Sequence, residues 1–289
     1  MNPLFEQLLA HKPVVTDGAW GTEMQARGLP IGGCPDAWNL TNPERVEEVA
    51  RAYVEAGSRV ILTNTFGANR FTLERHGLAA RVLEVNRAGA AISKRAANGR
   101  AKVFASIGPT GRMLAMGEVT REELRSAFRD QAAALAEGGA DALVVETMTD
   151  LDEARLALDA AKSTGLPVVV SMVFGVGGKA DRTIMGITPE QAACELEECG
   201  ADAIGANCGI GADAMMPLCE RFWMATDLPI WIKPNAGLPE VVDGKAVYQT
   251  SPAEFTHAAL ALVRAGASFI GGCCGTSPAL IASLSKHMG

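Results

Sequence analysis

Four nine-residue stretches of this chain share one template: a glycine, two residues, an apolar run of strand length, and a closing pair that carries polar or sulfur atoms. They are Gly57–Thr65, Gly139–Thr147, Gly200–Cys208 and Gly266–Cys274. A glycine before such a run fits the end of a helix, and a short, wholly apolar run fits a parallel strand covered on both faces. Because the stretches are equally long, their ends, Asn64/Thr65, Glu146/Thr147, Asn207/Cys208 and Cys273/Cys274, fall at equivalent heights. Laid over one another, Cys274 matches Cys208 and Cys273 matches Asn207.

Other runs complete the alternation of strand and helix. Val14–Gly18 reads as a first strand, followed by a loop through Trp20, Gly32-Gly33 and Trp38, and Val60–Thr65 reads as a second. Lys102–Ile107, Ala142–Glu146, Pro167–Phe174, the run ending at Cys208, Pro229–Lys233 and the run ending at Cys274 supply the rest. Helix starts are written at Asn42-Pro43-Glu44, Thr120-Arg121-Glu122-Glu123, Thr188-Pro189-Glu190 and Ser251-Pro252-Ala253-Glu254, where a capping residue precedes proline or an acidic first turn. Longer helical patterns span 81–98 and 212–225.

Eight such rounds in 289 residues predict a single-domain (β/α)8 TIM barrel over residues 1–289, since that architecture takes about 250 residues. A doubly wound open sheet is the alternative, but no Gly-x-Gly-x-x-Gly follows the first strand. In a barrel, the polar ends of strands two, four, six and eight ring the C-terminal mouth, where catalysis sits.

The net charge of −7 argues against a nucleic-acid groove or an anionic membrane surface. The N-terminal Met1–Leu9 has neither a basic start nor a long apolar segment, which points to the cytoplasm. Seven cysteines, an odd number, then read as reduced thiols or metal ligands, not as a disulfide framework. Cys208, Cys273 and Cys274 form the strand-end set, and they read as ligands of Zn²⁺ with a fourth position open, or as small buried apolar residues. Glycines flank each site, and bare backbone there would let an ion and its substrate approach. Three thiolates leave the ion with a local charge of about −1, a setting better suited to holding a substrate thiolate for alkylation than to hydrolysis. Cys34, Cys194, Cys199, Cys219 and the four histidines fall outside the strand-end pattern and receive no role.

Asp17-Gly18, Thr63–Asn69, Gly108-Pro109-Thr110, Glu146-Thr147, Asn207-Cys208-Gly209, Pro234–Pro239 and Gly271–Gly275 together resemble the homocysteine S-methyltransferase family, across nearly the entire chain. The run Gly-Gly-Cys-Cys-Gly with an upstream Asn-Cys is the specific part. The resemblance implies a zinc-dependent barrel that activates homocysteine thiolate and yields methionine, with Cys208, Cys273 and Cys274 as zinc ligands and Asp17 and Glu146 holding the substrate ammonium. It further implies that Asn235 lends an oxygen to zinc until a thiol arrives. Gly18 and Ala19, through backbone amides, and Asn64 and Thr65 are candidates to meet the substrate carboxylate or to support the site.

Thr63–Asn69 and Pro234–Pro239 look most like the N-terminal homocysteine module of cobalamin-dependent methionine synthase. The implied donor is therefore a methyl-corrinoid, methylcobalamin carried by a separate protein or domain. S-methylmethionine or betaine is the alternative donor, and a non-catalytic zinc- and thiol-binding module is a third reading.

Overall fold

Runs rich in Val, Ile and Phe form eight strands: β1 (Val14–Val15), β2 (Val60–Ile61), β3 (Lys102–Ile107), β4 (Ala142–Met148), β5 (Val168–Met172), β6 (Ala203–Gly211), β7 (Ile230–Asn235) and β8 (Ala267–Ile270). A computed structural model describes residues 2–178, 180–242 and 245–288, so Met1 and Gly289, the ends of the expected domain, lie outside the described residues. The strands pair in parallel in the order β1-β8-β7-β6-β5-β4-β3-β2. The Arg59 amide donates to Val15 O at 2.8 Å and links the two outer strands of that order. This is the TIM barrel expected.

Helices return the chain between strands and cover the outer face: α4 (Pro43–Glu55), α6 (Val82–Ala97), α7 (Arg121–Glu137), α8 (Leu151–Lys162), α9 (Pro189–Glu198), α10 (Ala212–Ala225), α11 (Pro252–Arg264) and α12 (Pro278–Ser285). Thr120, Thr188 and Ser251 each close a capping box with the residue three positions on, the reciprocal bond their sequence predicts. No helix among the described residues is long and apolar enough to cross a membrane.

Residues alternate between the barrel's inside and its helical jacket, as the period of two on a strand requires. Val14, Val60, Phe104, Ala142, Val169, Ala203, Trp231 and Phe269 meet in one interior cluster, while Val15, Ile61, Val103, Leu143, Val168, Ile204, Ile232 and Ile270 belong to the cluster under the helices. The rings of Trp231 and Phe269 lie 5.3 Å apart and those of Phe104 and Trp231 6.1 Å apart. Gly205 lets β6 lie close against β7: a Cβ there would sit 1.8 Å from the backbone oxygen of Trp231. Helix α1 (Pro3–Leu9) plugs this interior with Phe5, whose ring lies 5.7 Å from Phe104 and 5.4 Å from Phe269.

Several expected boundaries move. The loop expected through Trp20 and Trp38 contains α2 (Trp20–Ala26) and α3 (Trp38–Thr41), and α5 (Arg70–Glu74) precedes α6. β2 stops at Ile61, short of Thr65, because the next amide, Leu62, donates to the Asp17 carboxylate instead of a neighbouring strand. β8 stops at Ile270, so Cys273 and Cys274 lie past it, in and beside a turn. Between β7 and α11 an antiparallel pair, Glu240–Val242 with Lys245–Val247, forms a small arm.

Candidate metal and substrate site

The period of two that fills the barrel also builds its mouth. Counting on from the apolar interior layer, Ser106 follows Phe104, Glu146 follows Val144, Ser171 follows Val169, Asn207 follows Gly205, Lys233 follows Trp231 and Cys273 follows Gly271. Every one of these except Cys273 is buried.

The three sulfurs converge. Cys208, Cys273 and Cys274 bring their Sγ atoms within 4.8 Å of one another, with 3.9 Å between Cys208 and Cys274. Cys208 reaches this position from within β6, where the register with β7 breaks after Asn207, with φ at +61°, a left-handed conformation that costs a side-chain-bearing residue roughly 1–2 kcal/mol. The turn that presents Cys273 and Cys274 is pinned to β7: the Cys273 amide donates to Pro234 O at 2.7 Å and the Cys274 amide to Asn235 Oδ1 at 3.2 Å.

The glycines around the thiols serve packing, which corrects the expectation that they leave room for an ion. A Cβ on Gly272 would lie 2.1 Å from Thr276 Oγ1, one on Gly209 would lie 2.6 Å from Phe174 O, and one on Gly275 would lie 2.2 Å from the Tyr248 ring. Protein atoms already fill those spaces.

The thiols govern one another's protonation. Hydrogen bonding to Cys273 and Cys274 brings Cys208 down to about 3, while the bond to Cys208 pushes Cys274 up to about 11 and Cys273 well above its ordinary value. Three sulfurs this close oppose one another's ionisation, and a cation between them would relieve that opposition. Thiolates about 2.3 Å from one tetrahedral ion stand about 3.8 Å apart, close to the separation seen here. The donor set and spacing suit a zinc ion with a fourth position free.

Beside the sulfurs lies a charged cluster. Glu146 accepts from Ser106 Oγ, and burial raises its proton affinity against the opposing pull of Lys233. Asp17, with no solvent exposure, accepts from Lys233 Nζ at 2.5 Å, from Trp20 Nε1 at 2.7 Å and from the Leu62 amide at 2.7 Å. Asn207 ties the two halves together, accepting from Ser171 Oγ at 2.7 Å and the Thr147 amide at 2.9 Å while its Nδ2 faces Cys273 Sγ at 4.0 Å. Asn235 borders a cavity of about 530 Å³ that also touches Asp213, Gln249, Thr250 and Glu254.

The remaining sequence-selected residues have protein partners. Asn64 Nδ2 donates to Pro35 O and to Asn39 Oδ1, and Thr65 Oγ1 donates to Ser106 O at 2.7 Å. The Ala19 amide donates to Thr276 O, and a Cβ on Gly18 would collide with that same oxygen. Lys233, Ser106 and Ser171 lie outside the four matching strand ends on which the sequence pattern rests. A backward step of two from Asn235, through Lys233 to Trp231, would have found the lysine.

Residues 14–288 match the family model described as homocysteine S-methyltransferase. The chain belongs to that family. Among relatives of this methyltransferase family, the methionine synthase of Mycobacterium tuberculosis is 31% identical over 293 residues, covering 95% of this chain and 24% of that protein. The Mycobacterium leprae methionine synthase is 30% identical, covering 94% of this chain and 24% of its own length. The chain thus spans about a quarter of the curated relatives it matches. The metallated form of the Escherichia coli homocysteine methyltransferase MmuM superposes with a TM-score of 0.82 at 24% identity, covering 99% of this chain and 100% of that one, which establishes the shared barrel.

Proposed function

We propose that this chain is a zinc-dependent homocysteine S-methyltransferase, taking its methyl group from a methyl-corrinoid carried by a separate protein or domain and forming methionine. The observation that carries the proposal is the convergence of three thiols within 4.8 Å at the barrel mouth. The metallated form of the E. coli enzyme and the family match support it. Held by Cys208, Cys273 and Cys274, zinc would take the homocysteine thiol as fourth partner and lower its proton affinity while leaving the sulfur nucleophilic.

Around it, the protein's own groups bind and orient. Glu146 is the carboxylate with residual exposure at the mouth, 8% against 0% for Asp17, and it receives the substrate ammonium. Asp17 pairs with Lys233, so with Glu146 ionised the cluster of two carboxylates and one ammonium carries a formal charge of −1, which matches a cationic amine. Asn235, already bonded to the Cys274 amide, stands next to Cys208 and can lend its oxygen to the ion until a thiol replaces it. Gly18 and Ala19 hold the first loop against Thr276, and Asn64 and Thr65 brace the second, so these four act as supports of the mouth.

The corrinoid assignment rests on the likeness of Thr63–Asn69 and Pro234–Pro239 to the module of cobalamin-dependent methionine synthase, and on methionine synthases being relatives of which this chain spans about a quarter. Two measurements test the proposal together. Wild-type protein is expected to hold one zinc per chain, and Cys208→Ser, Cys273→Ser and Cys274→Ser are each expected to lose it; zinc retained by all three overturns the site. Purified protein is then assayed with homocysteine against methylcobalamin, S-methylmethionine and betaine. Turnover with a small donor and none with methylcobalamin overturns the donor assignment, and thiol binding without transfer from any donor leaves a binding module.

A further inference from the structure

Homocysteine would bring two charges to the barrel mouth, an ammonium for Glu146 and a carboxylate that still needs a partner. The residues to which the sequence points for that carboxylate are committed elsewhere. The Ala19 amide donates to Thr276 O at 2.9 Å, Asn64 Nδ2 to Pro35 O and Asn39 Oδ1, and Thr65 Oγ1 to Ser106 O. Left without a partner beside Asp17 and Glu146, the carboxylate would be a third anion in a mouth lined by buried side chains, which is strongly unfavourable.

One buried cation stands in the same layer. Lys233, 2% exposed, is the only buried lysine or arginine among the described residues. β7 turns it inward two positions past Trp231, and its register partner on β6 is Asn207, which precedes Cys208 and whose Nδ2 faces Cys273 Sγ at 4.0 Å. Lys233 Nζ donates to Asp17 Oδ1 at 2.5 Å. An ammonium has three N–H bonds, and the other two have no acceptor among the described residues; the Trp231 ring, its centroid 5.8 Å away, offers a face but no lone pair. Buried donors are ordinarily satisfied, so two unused N–H bonds on a buried lysine call for an acceptor carried by a ligand. The lysine's charge also acts on the Glu146 carboxylate, which makes the two groups neighbours, as the ammonium and carboxylate of a single α-carbon require of their partners.

We propose that Lys233 is a specificity-determining residue whose unused N–H bonds receive the α-carboxylate of the thiol substrate, so that with Glu146 it selects a zwitterionic amino-acid thiol over thiols without the carboxylate. The proposal rests on the reading of this chain as a homocysteine methyltransferase, and it deepens that reading by naming the group that reads each charge of the acceptor. Asp17 gains a second task. Its bond holds the lysine in place before the ligand arrives, so little side-chain freedom is lost on binding.

The test compares homocysteine with aminopropanethiol, the same thiol without its carboxylate, by titration calorimetry on zinc-loaded full-length protein with no methyl donor present. Wild type is expected to bind homocysteine at least about tenfold more tightly, the return of one charge-assisted pair. In Lys233→Met that preference is expected to vanish. Homocysteine binding should weaken at least about tenfold, while aminopropanethiol should bind no more weakly than before, because loss of the cation leaves two carboxylates for its ammonium. Equal affinities of the two thiols in the wild type overturn the assignment without recourse to a variant, and so does an undiminished preference in Lys233→Met. A variant that loses both thiols alike shows a lysine that only holds Asp17 in place, which overturns it too. A wild-type chain that binds neither thiol overturns the homocysteine reading itself and, with it, this inference.

Discussion

Asp36 is buried, with Oδ1 accepting the Gly67 amide at 3.0 Å, and burial raises its carboxyl from 3.8 to about 7. The folded chain therefore holds this proton more tightly than the unfolded one, so the stability it carries is complete below pH 3.8 and drains away as pH rises toward 7. Asp36→Asn keeps the acceptor and cannot ionise. Urea unfolding of the wild type should weaken from pH 5 to pH 8, and the variant should flatten that slope by roughly 1–3 kcal/mol; parallel slopes would refute the assignment. Glu146→Gln keeps the bond with Ser106 but removes the charge proposed for the substrate ammonium. Its KM for homocysteine should rise at least about tenfold with zinc content unchanged, the loss expected of one charge-assisted bond. At this scale the thiols were legible because adjacent cysteines after a glycine pair are hard to explain otherwise. Lys233 was not, since a lysine at a strand end also reads as an ordinary exit into solvent, and only the interior face revealed by its neighbour Trp231 distinguishes the two.

Elements were legible where local chemistry decides them. Thr120, Thr188 and Ser251 write their capping boxes into four consecutive residues, and the structure starts α7, α9 and α11 there. β3 spans Lys102–Ile107 and α10 spans Ala212–Ala225, both as expected, because an apolar run and a long helical pattern need no distant partner to be recognised. What stayed hidden is short and held by tertiary contact. Helix α1 has seven residues, below the length at which an isolated helix persists, and its hold is Phe5 against Phe104 and Phe269. The arm's strands have three residues each, too few for an alternation to register. This gives α1 a measurable role as the barrel's lower plug. Phe5→Ala should cost about 3–5 kcal/mol in urea unfolding, as for other buried rings, yet leave zinc uptake intact because the thiols sit at the far ends of the strands; loss of zinc in a folded variant would contradict that separation.

The whole molecule divides its labour along the barrel axis. Interior rings from β3, β7 and β8 and the jacket of helices form continuous apolar clusters, and the charged and sulfur groups occupy the last inward layer before solvent. A chain of 289 residues buries enough surface to fold without a metal, unlike small zinc domains whose binding energy is their folding energy. The proposed zinc should then act on stability only through mass action on an already folded barrel, adding roughly 3–4 kcal/mol when free metal exceeds its dissociation constant by 100- to 1,000-fold. Removing it with a chelator should lower the thermal midpoint by a few degrees while far-UV dichroism at 25 °C stays unchanged, and adding zinc back should restore the midpoint. Collapse of the helical signal on chelation would mean that the thiol turn after β8, pinned to Pro234 and Asn235, holds β7 and β8 in place only with an ion between its sulfurs. The barrel would then depend on its mouth, and the separation of scaffold from site drawn from the interior clusters would fail.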